Sequence, residues 1–279
     1  MSGLHIDWSP RALRIVAAGM VVLNGFFPAL WILLTSFKTE AELVSKPITW
    51  WPQQPTLANY VQAFTDQPLL RYLGNSAVVA LGSTVVSLLV AAFAAYAIAR
   101  LNLKRRQLIL TCIVASSMFP LVTLLVPIFE TMRAAGLLNT YVALIVPYTV
   151  LNLPVCTLVL VSFFQSIPRD LENAAMIDGC TRMGALWRVV LPLAAPGVFT
   201  AGILAFVNAW DEFLLALSLN ASPAMRTLPV GITLYQGEFN FPWPIISAAL
   251  IVAIVPVAVL IALFQERVVG GLTQGGLKG

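Results

Sequence analysis

Charge is scarce in this chain. Only 10% of its 279 residues are Asp, Glu, Lys or Arg, against about 25% in an ordinary soluble domain. That shortage excludes a conventional water-soluble fold and points to an integral membrane protein. Histidine is nearly missing. The single one, His5, cannot build a metal cluster, and no HExxH or Cys/His spacing occurs. Cys112, Cys156 and Cys180 are scattered and odd in number, which gives neither a disulfide framework nor a metal pattern. They read as small apolar packing residues. There is no G-x-x-x-x-G-K-[ST] phosphate loop. The glycine-rich "GGLTQGGLKG" lacks the Gly-Lys-Ser/Thr step and follows a membrane segment instead of joining a strand to a helix. No nucleophile–base pair stands out, so an intramembrane enzyme is not supported. Nucleic-acid binding would need a basic patch with aromatics on a soluble face, and "RLNLKRRQ" is only a short loop between apolar segments.

What the chain does have is long apolar runs. Six are free of charge: 15–36, 72–99, 108–129, 134–168, 189–210 and 239–265. A membrane-crossing helix needs about 20 apolar residues, so each run can hold one span. The first run is too long for a signal-peptide core, and no small-residue cleavage site follows "WILLTSFK". It reads as a retained helix. The expected fold is therefore all-α and integral to the membrane, with six spans near 13–36, 74–99, 108–129, 142–164, 197–219 and 244–264. Pro120 and Pro127 are expected kinks in the third. With the N-terminus inside, eleven Lys and Arg fall on inner segments and five on outer ones, which predicts both termini in the cytoplasm. An outer segment over 37–71 carries Trp50 and Trp51, suited to headgroup depth. Its prolines at 47, 52, 55 and 68 argue against a regular helix there. The organisation read from this is 1–71 for the N-terminus, first span and outer segment, 72–264 for the core, and 265–279 for a cytoplasmic tail.

One stretch departs from this greasy background. "PRDLENAAMIDGCTRMGALWRVVLPLAAPG", within the inner segment 165–195 and its flank, holds six charged residues. Pro168 suits a helix start, and Asp170 and Glu172 suit its positive end. Leu171, Ala174 and Ala175 share one face. Gly179 can end the helix in the left-handed conformation. A second pattern follows at Met183, Leu186, Leu-adjacent Trp187 and Val190, with Pro192 expected to stop it. The charges balance: three Arg against Asp170, Glu172 and Asp178. A loop that only set topology would be simply basic. Two readings stand, a helix pair lying on the bilayer and a docking knob for a cytoplasmic partner.

"LENAAMIDG" followed by "WRVVLPLAAPG" resembles the EAA loop of bacterial ABC-importer permeases. Ala174, Ala175, Asp178, Gly179, Val189, Leu191 and Pro192 match the pattern, while Asn173 stands where its Glu usually stands. Glu172, one residue earlier, points about 100° away around the helix. "LGNSAVVA", "AAYAIARL", "FVNAWDEFLLALSL" and "GLTQGGLKG" are similar to the carbohydrate-uptake subfamily, specifically the shorter permease of the maltose-type pair. The resemblance implies the type I permease fold, with a cytoplasmic coupling helix-turn-helix. It also implies a second homologous permease, two copies of a cytoplasmic ATPase and an extracytoplasmic solute-binding protein, all at the bacterial inner membrane and in contact with lipid. Glu172, Asn173, Ala174, Ala175, Asp178, Gly179, Leu191 and Pro192 would then dock the ATPase. ATP and Mg would be used by that partner, with no cofactor held by this chain.

"NAWDEFLLAL" places Asp211 and Glu212 near or in the fifth span. If the span starts at Gly197, Asp211 lies about 21 Å along it. A charge in the bilayer is costly and is usually functional or faces a cavity. Either the two acids form an interfacial pair at an early span end, or Asn208, Trp210, Asp211 and Glu212 line a solute path. A sugar, with its hydroxyls and apolar ring faces, suits those residue types. The competing class is a stand-alone secondary transporter or channel, which would favour buried ionisable relays and broken-helix repeats.

Overall fold

The computed structural model describes residues 10–237 and 240–276, and they are all helix and loop. In chain order the helices are α1 (Pro10–Ser36), α2 (Glu40–Leu43), α3 (Ala58–Asp66), α4 (Leu69–Arg100), α5 (Arg106–Ser117), α6 (Leu121–Ala134) and α7 (Tyr141–Ser166). Then come α8 (Arg169–Ile177), α9 (Arg182–Ala185), a π-helical turn (Leu186–Val190), α10 (Leu191–Leu193) and α11 (Ala195–Trp210). The last are α12 (Leu214–Leu219), α13 (Leu228–Thr233) and α14 (Trp243–Gly276). Among the described residues four helices are long and apolar enough to cross a membrane: α1, α4, α7 and α14. Two bent pairs raise the count to six, α5 with α6 and α9–α10 with α11.

Those bends go further than the sequence expectation, which places kinks at Pro120 and Pro127 of the third span alone. The third span is broken by 89° between α5 and α6. Pro120 is the N-cap of α6, and a proline disfavours helical geometry at the residue before it, here Phe119. Pro127 stays inside α6, so only one of the two prolines breaks the span. The fifth span is not one helix over 197–219. Its helix α11 ends at Trp210, and α12 restarts at Leu214. Pro192 does not stop the preceding pattern either. It sits inside α10, and the 80° bend falls at Ala194. The π turn explains this: the Leu191 N–H bonds back to the Leu186 carbonyl, five residues away. That wider turn makes room for a ring that would otherwise strike the carbonyl four residues back.

The chain forms two compact units. The larger comprises Leu69–Thr233 and Val255–Gly279, and its centre is α4 packed on α7 and α11. Small side chains make that packing close. Ala91, Ala95 and Ala99 of α4 are buried with Leu160 and Phe164 of α7 and Ala201 and Ala205 of α11. In a membrane, where lipid is as apolar as the core, close contact between small residues is what holds helices together. At Gly197 a β-carbon would stand 2.3 Å from Phe163 Cγ, so α11 can approach α7 there only without a side chain.

The smaller unit comprises Met1–Pro68 and Leu234–Ile254. Its loop is tied by polar side chains. Asn59 donates to the carbonyls of Ser36 and Lys38, both at 2.8 Å, which satisfies acceptors left free at the end of α1. Glu42 accepts from Thr49 Oγ1 and from the Gln53 amide, both at 2.8 Å. Lys38 lies with its Nζ 4.9 Å from the centre of the Trp31 ring and donates to the Thr49 carbonyl. The prolines at 47, 52 and 55 do keep 44–57 irregular, but α2 and α3 form on either side of them.

Candidate docking site and solute path

The polar segment folds as a helix, a turn and a second helix. Pro168 is the N-cap of α8, with Asp170 and Glu172 in the first turn. Asp178 is the C-cap. Gly179 follows with φ of +92°, the left-handed conformation that costs glycine least. The Cys180 amide donates to the Ala175 carbonyl at 2.9 Å and the Gly179 amide to Met176 at 3.1 Å, a Schellman closure. Thr181 then caps α9, its Oγ1 accepting from the Gly184 amide at 3.1 Å.

Glu172 does not belong to the outer face of this knob. It is buried, with its Oε2 3.0 Å from Arg100 Nε at the end of α4. The Tyr96 hydroxyl donates to its other oxygen and lies 3.2 Å from the Arg182 carbonyl. Arg100 in turn donates to the Ile167 carbonyl at 3.1 Å, and Arg169 to that of Ala99 at 3.4 Å. One carboxylate thus braces α8 against α4. Sequence reasoning assigned Arg100 only to topology and passed over Tyr96. The available signal was the spacing: two polar groups one helical turn apart closing a long apolar run.

The remaining docking candidates divide in two. Asn173, Ala174, Asp178 and Gly179 are exposed together, and Ala175 is half-buried beside them. Ile177, at 86% exposure, extends the same surface. Leu191 and Pro192 lie elsewhere. They line an apolar cavity of about 290 Å³ with Trp187, Leu88 and Ala92, so they shape the segment's base.

The four path candidates are also split. Glu212 accepts from the amides of Leu215 at 2.8 Å and Ala216 at 3.1 Å, which caps α12. The Tyr148 hydroxyl of α7 donates to it as well. Trp210 is buried and stacked on Phe206, ring centres 5.5 Å apart. Asn208 donates to Asn152 at 3.3 Å, and Asn152 to the Ala205 carbonyl at 3.4 Å. Asp211 and Asn208 are exposed, and Glu212 is half-buried. The structure gathers these residues at the α11–α12 break, but it engages Asn208 and Glu212 with α7 and the start of α12 and packs Trp210 on Phe206 of its own helix. Among the described residues no group of three His, Cys, Asp or Glu could hold a metal ion.

Comparison with known proteins gives a consistent picture. Residues 87–273 match the family described as binding-protein-dependent transport system inner membrane component. The chain is 72% identical, over 277 residues, to the sulfoquinovosyl glycerol transport system permease protein of Agrobacterium fabrum, covering 99% of this chain and 97% of that one. It is 37% identical over 272 residues to the trehalose/maltose transport system permease protein of Thermococcus litoralis, covering 96% and 97%. Among solved structures, a chain of a bacterial ABC transporter involved in import of the acidic polysaccharide alginate superposes with a TM-score of 0.81 at 20% identity, covering 95% of this chain and 99% of that chain.

Proposed function

Because the chain belongs to the binding-protein-dependent inner-membrane permease family of ABC importers, we propose that it carries a sulfonated glycoside such as sulfoquinovosyl glycerol. The 72% identity across nearly the full length of both chains carries this reading. The chain is a transport subunit, not an enzyme. It pairs with a second, homologous permease to enclose the solute path, receives solute from an extracytoplasmic binding protein, and docks one of two ATPase copies. Both termini lie in the cytoplasm, consistent with the excess of Lys and Arg on that side. Hydrolysis of ATP with Mg takes place on the partner.

The docking surface is the exposed part of α8 and its turn: Asn173, Ala174, Asp178, Gly179 and Ile177. Small residues there allow a close fit, and Asn173 makes that fit depend on shape more than on a charge. The buried brace from Glu172 to Arg100 gives movement of α8 a direct route into α4, a rigid-body coupling of the kind that switches between two arrangements. Asp211 is the first candidate solute contact, since of the two exposed residues at the α11–α12 break Asn208 already gives its side chain to Asn152. Glu172, Leu191 and Pro192 hold the docking segment in place.

Two measurements test this. The assembled transporter in proteoliposomes should hydrolyse ATP faster with binding protein loaded with sulfoquinovosyl glycerol than with trehalose. Equal stimulation by both would remove the sulfonate assignment. An Ile177→Asp variant should insert normally yet fail to co-purify with the ATPase, and normal co-purification would remove the docking assignment.

A further inference from the structure

Beside the brace lies a second feature that neither docking nor a solute path uses. A cavity of about 310 Å³ is lined by Arg100, Arg106 and Arg169, with Gln165 and Ser166 at its edge. It sits where α4 ends, α5 begins, α7 ends and α8 begins. All of these belong to the larger compact unit. Among the described residues none of its lining side chains is acidic. Glu172 offsets Arg100 from the far side, which leaves two guanidinium charges in excess. Arg106 Nε is buried and has no hydrogen-bond partner among the described residues. A buried donor of this kind is costly unless a ligand or water satisfies it.

We propose that this cavity binds the phosphate group of an anionic phospholipid. Three observations converge on that ligand. The planar, forked guanidinium recognises phosphate oxygens in pairs, and three arginines line this cavity, Arg106 among them with its Nε unpartnered. The cavity lies at the ends of two membrane-crossing helices, α4 and α7, and at the start of a third segment, α5, which is headgroup depth. Next to it, Leu108 of α5 is 54% exposed, a surface along which acyl chains can lie while the phosphate stays in the cavity. Basic pockets between membrane helices are a known setting for anionic headgroups. The inference needs only the membrane setting of the chain and does not depend on its solute or on how its ATPase docks.

The test is lipid retention by the full chain purified within its transporter. Native mass spectrometry and thermal unfolding would be run with added phosphatidylglycerol, phosphatidylcholine or inorganic phosphate. Wild type should retain phosphatidylglycerol in preference to phosphatidylcholine and unfold at a higher temperature with it. Arg106→Gln should weaken that retention about fivefold, the size of one basic side chain beside an anionic headgroup. No preference between the two lipids in wild type would overturn the proposal without recourse to any variant. Equal retention by wild type and Arg106→Gln would also overturn it. If inorganic phosphate alone gave the full thermal shift, the source would be free phosphate and the lipid assignment would fall. Loss of ATPase from Arg106→Gln with lipid retention unchanged would give the cavity to an acidic group of the partner instead.

Discussion

Arg100 Nε and Glu172 Oε2 stand 3.0 Å apart with their side chains only 4% and 7% exposed, and they join the end of a long membrane helix to the knob that follows α7. Among the described residues the other close ion pair, Arg133 with Glu130, has side chains 65% and 58% exposed. The two should behave differently. Removing one partner of a buried pair costs about 3–5 kcal/mol, because a charge is left without its counterpart. An exposed pair contributes about 0–1 kcal/mol. Glu172→Ala and Arg100→Ala are therefore expected to lower the unfolding temperature sharply, while Glu130→Ala leaves it nearly unchanged. A double-mutant cycle on each pair, read by thermal unfolding in detergent, checks this. A coupling energy at Arg100–Glu172 no larger than at Arg133–Glu130 would refute the brace.

Gly197 and Phe163 make the second test. A β-carbon at 197 would stand 2.3 Å from Phe163 Cγ, so Gly197→Ala forces either the ring or the helix to move. Overpacking of this kind costs about 1–3 kcal/mol. The variant should unfold at a lower temperature, and Phe163→Ala in the same chain, which removes the Cγ and Cδ2 that the new methyl would strike, should recover part of the loss. A Gly197→Ala protein as stable as wild type would show that α11 and α7 are not held this closely.

These contacts also mark what the sequence could and could not disclose. Six apolar runs were plain, because membrane spans are long and charge-free, and the helical knob was plain from Pro168, Asp178 and Gly179. The break at Pro120 was half legible: proline marks a weak point, but whether a helix bends or continues depends on its neighbours. Pro127 and Pro192 show the other outcome, the latter because a π turn makes room for it. Glu172 was misplaced for a different reason. A helical wheel shows that it points away from Asn173, but only the position of Arg100, 72 residues earlier in the chain, shows what it points toward.

Glu42 carries a pH dependence whose sign follows from its surroundings. Burial opposes its charge, but hydrogen bonds from the Gln53 amide and Thr49 hydroxyl, with Lys38 nearby, hold its carboxyl below its ordinary value of 4.5. A carboxyl lowered by folding adds stability above its unfolded value, and that stability is lost as pH falls through the lower, folded value. The 37–57 loop should therefore keep its structure down to about pH 4.5 and loosen below it. Tryptophan fluorescence from Trp31, Trp50 and Trp51 reports on it. Glu42→Gln should flatten the acid transition, and an unchanged transition would assign it to other groups.

Asp211 and Glu212, adjacent in sequence, are expected to separate cleanly by experiment. Glu212 is committed to the amides of Leu215 and Ala216 and to the Tyr148 hydroxyl, so its loss removes a helix cap worth about 1 kcal/mol and strands a buried hydroxyl. Glu212→Ala should lower both thermal stability and assembly. Asp211 is exposed, and among the described residues only its backbone amide is engaged, donating to the Val207 carbonyl at 3.0 Å. Asp211→Asn should therefore leave stability unchanged while lowering solute uptake in proteoliposomes. If Asp211→Asn transports normally in an intact assembly, the exposed carboxylate is not on the solute path. If Glu212→Ala is as stable as wild type, the cap does not hold α12, and the α11–α12 break owes its shape to the packing of Trp210 on Phe206 instead.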